Sequence, residues 1–398
     1  MIGSFRGERN MPKVKRALLC GIGLLCVAGP SQSGSGQHTN IQERHRFLVS
    51  SNPPAKSICM DCESPTGIAA TNPPAHFDAL AANAAELARY GFPPRPPFKT
   101  APDAYAFWVK LVTLPVRRVV AKLEPTNIHS GPVAIVAEAP PGHGTTQAIG
   151  GNSAASVGYF VADADNPFRA PNTTVYGSFV VPLAQQAFGA CTGDWDYSLI
   201  WVGIDDKTDV LQGGVEADAL CSGGTSQSFY SAWYEWYPFD LVQMSTPVLA
   251  PGDLVYTYVW NTNRTTGNFY IADETQGTVS SVTFNAPPGT QLNGDGVEWV
   301  IERPTVNHVV APLTNYIDVP WYGAMAVAPK RRHPQYSPGY APTGRIFDTT
   351  MFVDGEPISR AYRTSNNNLN HTDQGGAVTD IPGSALWFFD EGAARQQQ

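Results

Sequence analysis

From residue 132 onward the chain is written in short runs of alternating or apolar residues, cut at brief intervals by Gly, Pro, Asn or Asp. No other feature limits the fold as much. A period of two sends one side chain inward and the next outward, and runs this short suit strands better than helices. The pattern predicts strands near 132–139, 157–162, 174–182, 198–204, 210–217, 229–237, 254–260, 269–272, 279–284, 297–301, 316–321, 349–353 and 386–389. So many strands with so little helix imply a sandwich or a barrel. Charged residues make up only 15% of the chain while Gly and Pro number 37 and 34, which fits a loop-rich β body. With 42% hydrophobic residues it can form a large core without help from a metal.

The first 131 residues follow a different pattern. Lys13, Lys15 and Arg16 precede an apolar run over 17–28 and then Gly29, Pro30 and Ser31, the order of a secretory signal cut near Ser33. This predicts a secreted or periplasmic protein. The run is too short to span a bilayer and no later stretch approaches the ~20 apolar residues required, so no membrane association is expected. A formal charge of −8 and a pI near 5.5 give no reason to expect a nucleic-acid partner. Residues 34–132 are mixed and rich in Pro, with a helix predicted over 75–90 and ended by Gly91 and Pro93. The chain is thus divided into a signal (1–33), a pro-region or N-terminal appendage (34–132), a β-sandwich (133–392) and a tail (393–398). In an oxidising compartment Cys191 and Cys221 are expected to pair, and Cys59 and Cys62 to form a local disulfide. A monomer is expected.

Several familiar chemistries do not fit. His143-Gly144-Thr145 and Gly224-Thr225-Ser226 have the letters of subtilisin-like boxes, but Ser226 runs into a strand-like aromatic stretch and no suitable aspartate precedes His143. The absence of Asp-Thr-Gly and Asp-Ser-Gly argues against a pepsin-like dyad. The eight histidines are scattered, so neither a metal nor any other cofactor is indicated. What remains is a set of acids and amides inside strands that otherwise read as core: Trp201-Val-Gly-Ile-Asp205, Leu211-Gln212-Gly213-Gly214, Ala232-Trp233-Tyr234-Glu235-Trp236-Tyr237-Pro238 and Glu298-Trp299-Val300-Ile301-Glu302. A period of two puts Gln212 on one face with Val210 and Gly214, and Glu298 on one face with Val300. Such groups are partly desolvated.

In order and spacing, these four segments resemble the eqolisins, the glutamic peptidases. The resemblance covers about residues 155–389 and weakens after Ala326. It implies a concanavalin A-like sandwich of two antiparallel sheets, a concave face that binds peptide, and a catalytic pair falling on Gln212 and Glu298. Trp201, Asp205, Trp233 and Glu235 match positions lining the family's groove. Polypeptides are the implied substrates, cut in acid. Departures occur where the family's early tryptophan corresponds to Ser156, where Ser231 replaces an acid, and where Glu216 stands for an aspartate. They bear on substrate preference more than on chemistry.

Each residue also has a structural reading. Trp233, Tyr234, Trp236 and Tyr237 can be core aromatics, Glu298 a carboxylate paired with Arg303 or Arg264, and Gln212 a turn-satisfying amide. A lectin-like or peptide-binding module without catalysis is the alternative function. The non-β stretch before the sandwich suggests a removable cover over the groove at neutral pH, held by contacts that protonation of groove carboxylates weakens.

Overall fold

The computed structural model describes residues 65, 67–131, 146–149, 154–160, 172–186, 193–205, 209–330, 334–337, 345–353, 356–364 and 367–373. The predicted signal, the strands at 132–139 and 386–389, the C-terminal tail, His143, Cys59, Cys62 and Cys191 lie outside them. Cys221 is disulfide-bonded, and every other cysteine of the chain falls outside the described residues.

The strands form two antiparallel layers, as the period-two pattern implied. One layer runs in the order Val242–Met244, Thr225–Tyr237, Val210–Ser222, Leu199–Asp205, Gly296–Glu302, Ala154–Phe160. The second runs Gly67–Ala69, Thr278–Asn285, Thr266–Asp273, Leu254–Asn263, Thr174–Val180, Asp318–Val327. Arg345–Val353, Glu356–Arg363 and Leu369–Asp373 carry the hydrogen bonding from Ala154–Phe160 round to Asp318–Val327, which joins the layers along one side. The last two of these strands were not predicted. Their sequences, EPISRAYR and LNHTD, are too polar to announce themselves, and their pairing is set by the neighbours they bridge.

Alternation sorts the side chains into faces. Leu211, Val215, Val297, Trp299 and Ile301 from the first layer meet Val175, Phe179, Val259, Phe269 and Ile271 from the second in one large buried core. The other face of the second layer is also buried. Tyr176, Tyr256, Tyr258 and Tyr270 lie there beneath Ala101, Ala104, Phe107 and Leu111 of the N-terminal segment. Strands covered on both sides read as nearly continuous apolar runs, as in LVYTYVW within Leu254–Asn263.

The N-terminal segment folds differently from the prediction. Instead of one helix over 75–90, there is a six-residue helix, Ala84–Arg89. Asn83 stops it from starting earlier: its Oδ1 accepts from the N–H groups of Ala85 (2.9 Å) and Glu86 (3.0 Å), and Glu86 returns a bond to the Asn83 N–H. Arg95 Nη2 donates to the carbonyls of Ala79, Leu80 and Ala82, fixing the preceding turn outside the helix. Gly91, at φ 63, ends the helix as expected. A second helix, Pro102–Val112, was missed because AYAFWVKLV reads equally well as a strand. Proline at its first turn starts it, and Ala104, Trp108 and Leu111, spaced four and three apart, form its buried stripe. Short strands at Gly67–Ala69, Arg117–Arg118 and Leu123–Pro125 pair with sandwich strands, so this segment is hydrogen-bonded into the β body.

Among the described residues no helix is long and apolar enough to cross a membrane.

Candidate active site

The outward face of the first layer carries the residues singled out by sequence. Register decides this, because directly opposed residues on paired strands point the same way. Gln212 opposes Glu235 on one side and Gly203 on the other, and Gly203 in turn opposes Glu298. One row across four strands therefore reads Glu235, Gln212, Gly203, Glu298. The next row reads Trp233, Gly214, Trp201, Val300.

Glycine between the two key residues is required by space. A Cβ at Gly203 would come within 2.6 Å of the Trp201 ring, and one at Gly214 within 2.0 Å of the Ile200 carbonyl oxygen. Two strand spacings separate the Gln212 and Glu298 backbones by roughly 10 Å. Gly203, directly between them in the register, puts no side chain between Gln212 and Glu298. Gln212, Glu235, Glu298, Trp201 and Trp233 are all fully buried. Asp205 ends its strand opposite Val210 and Gly296, and its side chain lies outside the described residues. The side chain of Ser156 does too.

The chain's own N-terminal segment fills this face. Leu123–Pro125 pairs with Val242–Met244 at the layer's edge, and Ile128–His129 pairs with Thr305–Val306 beyond it. Between them the Leu241 N–H donates to the Ile128 carbonyl at 2.8 Å. Ser130 then reaches the row of polar residues. Its N–H donates to both carboxyl oxygens of Glu235 (3.2 and 3.1 Å), and its carbonyl accepts from Gln212 Nε2 at 3.3 Å. Its hydroxyl contacts Gln212 Oε1 at 3.3 Å and also bonds Glu302 Oε2. The Gly131 N–H donates to Glu302 Oε1 at 3.3 Å, and Trp201 Nε1 donates to Glu302 Oε2 at 3.0 Å. The indole N–H of Trp233 is buried without an acceptor.

Two functional candidates, Glu302 and Ser130, were not assigned from sequence. Glu302 could have been, since it stands four residues after Glu298 in one strand and so shares its face. Ser130 had no local signal, because its position depends on pairings more than a hundred residues away. Arg264 bonds the Leu292 carbonyl and Asn293, and Arg303 Nε donates to the Ala311 carbonyl. Gln212 sits inside a strand rather than at a turn. Glu216, at the departed position, accepts from Ser231 Oγ (2.7 Å) and from Gln243 Nε2.

Burial sets the electrostatics. Desolvation pushes the Glu302 carboxyl up to about 7, outweighing the donors Ser130, Gly131 and Trp201 that pull it down. Glu235 is raised well above the carboxylate range, first by burial and then by the neighbouring charges of Glu302 and Asp240, against the Ser130 N–H. The sign matters. A carboxyl raised in the folded state binds its proton more tightly there than in the unfolded chain. Its contribution to stability is complete below about pH 4.5 and is lost as pH rises through about 7. The hydrogen bonds from Ser130 and Gly131 pull the Glu302 carboxyl down, against the burial that raises it. We expect the thermal midpoint of the full chain to fall between pH 4.5 and 7.5, with Glu302 contributing about 3 kcal/mol, and Glu302→Gln to flatten the slope. A midpoint that rises over this range would contradict the assignment.

Among the described residues no group of His, Cys, Asp and Glu could hold a metal ion. The model of the peptidase A4 family matches residues 160–366, more than half of the chain, and includes Gly203, Gln212, Glu235, Glu298 and Glu302. The chain belongs to the peptidase A4 family. Aspergillopepsin-2 of Aspergillus niger is 31% identical over 147 residues, which is 33% of this chain and 51% of that protein. Scytalidopepsin B of Scytalidium lignicola is 32% identical over 105 residues, 26% of this chain and 38% of that protein. The chain thus spans about half the length, or less, of the curated relatives it matches. Among solved structures, scytalido-glutamic peptidase with a transition state analog inhibitor covers 56% of this chain and 98% of its own, at 20% identity and a TM-score of 0.44. Aspergilloglutamic peptidase from Aspergillus niger covers 45% of this chain at 24% identity and a TM-score of 0.38.

Proposed function

We propose that this peptidase A4 chain is the precursor of a secreted acid endopeptidase that cuts polypeptides with a water activated by Glu298 and an oxyanion stabilised by Gln212. One observation carries the reading: the site face already holds a peptide main chain by its backbone groups. The Ser130 carbonyl accepts from Gln212 Nε2, while the Ser130 and Gly131 N–H groups donate to Glu235 and Glu302. Recognition through main-chain groups is what an endopeptidase of broad range requires.

The roles follow from the side chains. Glu298 in its carboxylate form takes a proton from water as the oxygen attacks the scissile carbonyl carbon. The amide N–H of Gln212 stabilises the resulting oxyanion, and it does so in acid because an amide does not titrate in that range. Glu298 then gives its proton to the leaving nitrogen, the C–N bond breaks, and the products carry a new carboxyl and a new amine. Trp201, Trp233, Asp205 and Glu235 line the groove around the bond, with Glu302 holding the Trp201 indole.

In this reading residues 34–132 include a removable pro-region, with Ser130 and Gly131 as its plug. Activation in this reading requires cutting the chain, because the segment is paired into the β body by three short strands. The test is to incubate the full-length protein between about pH 2 and 5 with pepstatin present, then assay digestion of a denatured protein and sequence the new N-terminus. The expected result is acid-dependent digestion together with an N-terminus at or beyond Gly131. A chain still beginning near Gly34 while fully active would remove the pro-region from the proposal. A chain that has lost the segment yet cuts nothing would leave a peptide-binding module.

A further inference from the structure

One peptide bond of the N-terminal segment meets the site at both of its ends. The Ser130 carbonyl oxygen accepts from Gln212 Nε2 at 3.3 Å, and the Gly131 N–H donates to Glu302 Oε1 at 3.3 Å. The bond between these two residues therefore has its oxygen on the amide that would stabilise an oxyanion and its nitrogen on a carboxyl. Among the described residues, Ser130 is the only one whose carbonyl accepts from the Gln212 side chain. Its N–H donates to both oxygens of Glu235, and its hydroxyl bonds Glu302 Oε2, so the acyl side of the bond is held at three points.

The pairings of Leu123–Pro125 with Val242–Met244 and of Ile128–His129 with Thr305–Val306 hold this stretch against the site in the intact chain. Bond and site thus reach each other without an encounter between molecules. We propose that the bond joining Ser130 to Gly131 is the first that this protein cuts, and that each molecule cuts its own. The inference rests on the peptidase reading above. Water gives a proton to Glu298 as its oxygen bonds the Ser130 carbonyl carbon, and the oxyanion draws on the Gln212 amide. The C–N bond then breaks and Glu298 returns the proton to the Gly131 nitrogen. The products are a carboxyl at Ser130 and an amine at Gly131.

The test takes full-length protein into buffer at about pH 4 with pepstatin, over an about hundredfold range of protein concentration. Fragments are sequenced from the earliest times, and the same samples are assayed on a denatured protein. The first products are expected to end at Ser130 and to begin at Gly131, with one rate constant at every concentration. Gly131→Pro removes the N–H that meets Glu302 and restricts the backbone of Ser130, and should slow this cut at least about a hundredfold. A Cβ at Gly131 would meet Tyr237 Cε2 at 3.5 Å, an ordinary contact, so Gly131→Ala should slow it less than about tenfold. Should Gly131→Pro fail to fold, the wild-type fragments and their timing decide alone. A first cut elsewhere, no cut at all, or a rate constant that rises with concentration overturns the proposal. If the denatured protein is digested in such a case, the peptidase reading stands; with neither cut nor digestion, both fall.

Discussion

Glu298→Gln is expected to lower peptide hydrolysis at acid pH by about 10⁴-fold, and full-length protein carrying it should keep its N-terminal segment indefinitely. The substitution changes one oxygen to an NH2 in a fully buried position on a strand paired along both sides. Its volume is conserved, so the fold should survive. What disappears is the only group on this row that the proposal uses both to take a proton from water and to return it to the leaving nitrogen. Losing both halves of the proton transfer explains the size of the effect. The measurement is turnover on a denatured protein, with near-UV circular dichroism confirming native packing. Activity within tenfold of wild type would remove Glu298 from the chemistry.

Gln212→Ala should reduce kcat by about 10² to 10³-fold and leave KM nearly unchanged. Gln212 donates to a carbonyl oxygen in the covered state, and an oxyanion at that position draws on the same N–H more strongly as charge develops. Its contribution therefore falls mainly in the transition state. In the proposed function substrate is held by other groups, among them the carboxyls of Glu235 and Glu302 that here receive N–H bonds from Ser130 and Gly131. A rise in KM with kcat untouched would make Gln212 a binding residue only.

How much of this could be read from the sequence depends on where each signal resides. Gln212 and Glu298 were legible because each breaks an apolar run and the family resemblance of the four segments named the pair, whereas their common face comes from the strand register. The strands Glu356–Arg363 and Leu369–Asp373 were not legible, since polar strands gain their stability from neighbours they meet only in the folded sheet. The helix Pro102–Val112 was lost to an ambiguity of apolar runs, and the helix Ala84–Arg89 was overextended because its stop is a side-chain bond at Asn83 rather than a change of composition. Ser130 was invisible for a different reason. A serine becomes part of a site only through the distant strands that bring it there.

In the proposed function the segment carrying Ser130 and Gly131 is a plug that belongs to the same molecule as the groove it covers. An occupant on a short tether faces its site at millimolar effective concentration, so any free peptide must compete against that local excess. Once the tether is severed, the former occupant loses that local excess and is held only by its own strand pairings and packing. Under the proposed function, onset of activity is first order in the chain where each molecule cuts its own tether, and quickens with concentration where one molecule cuts another.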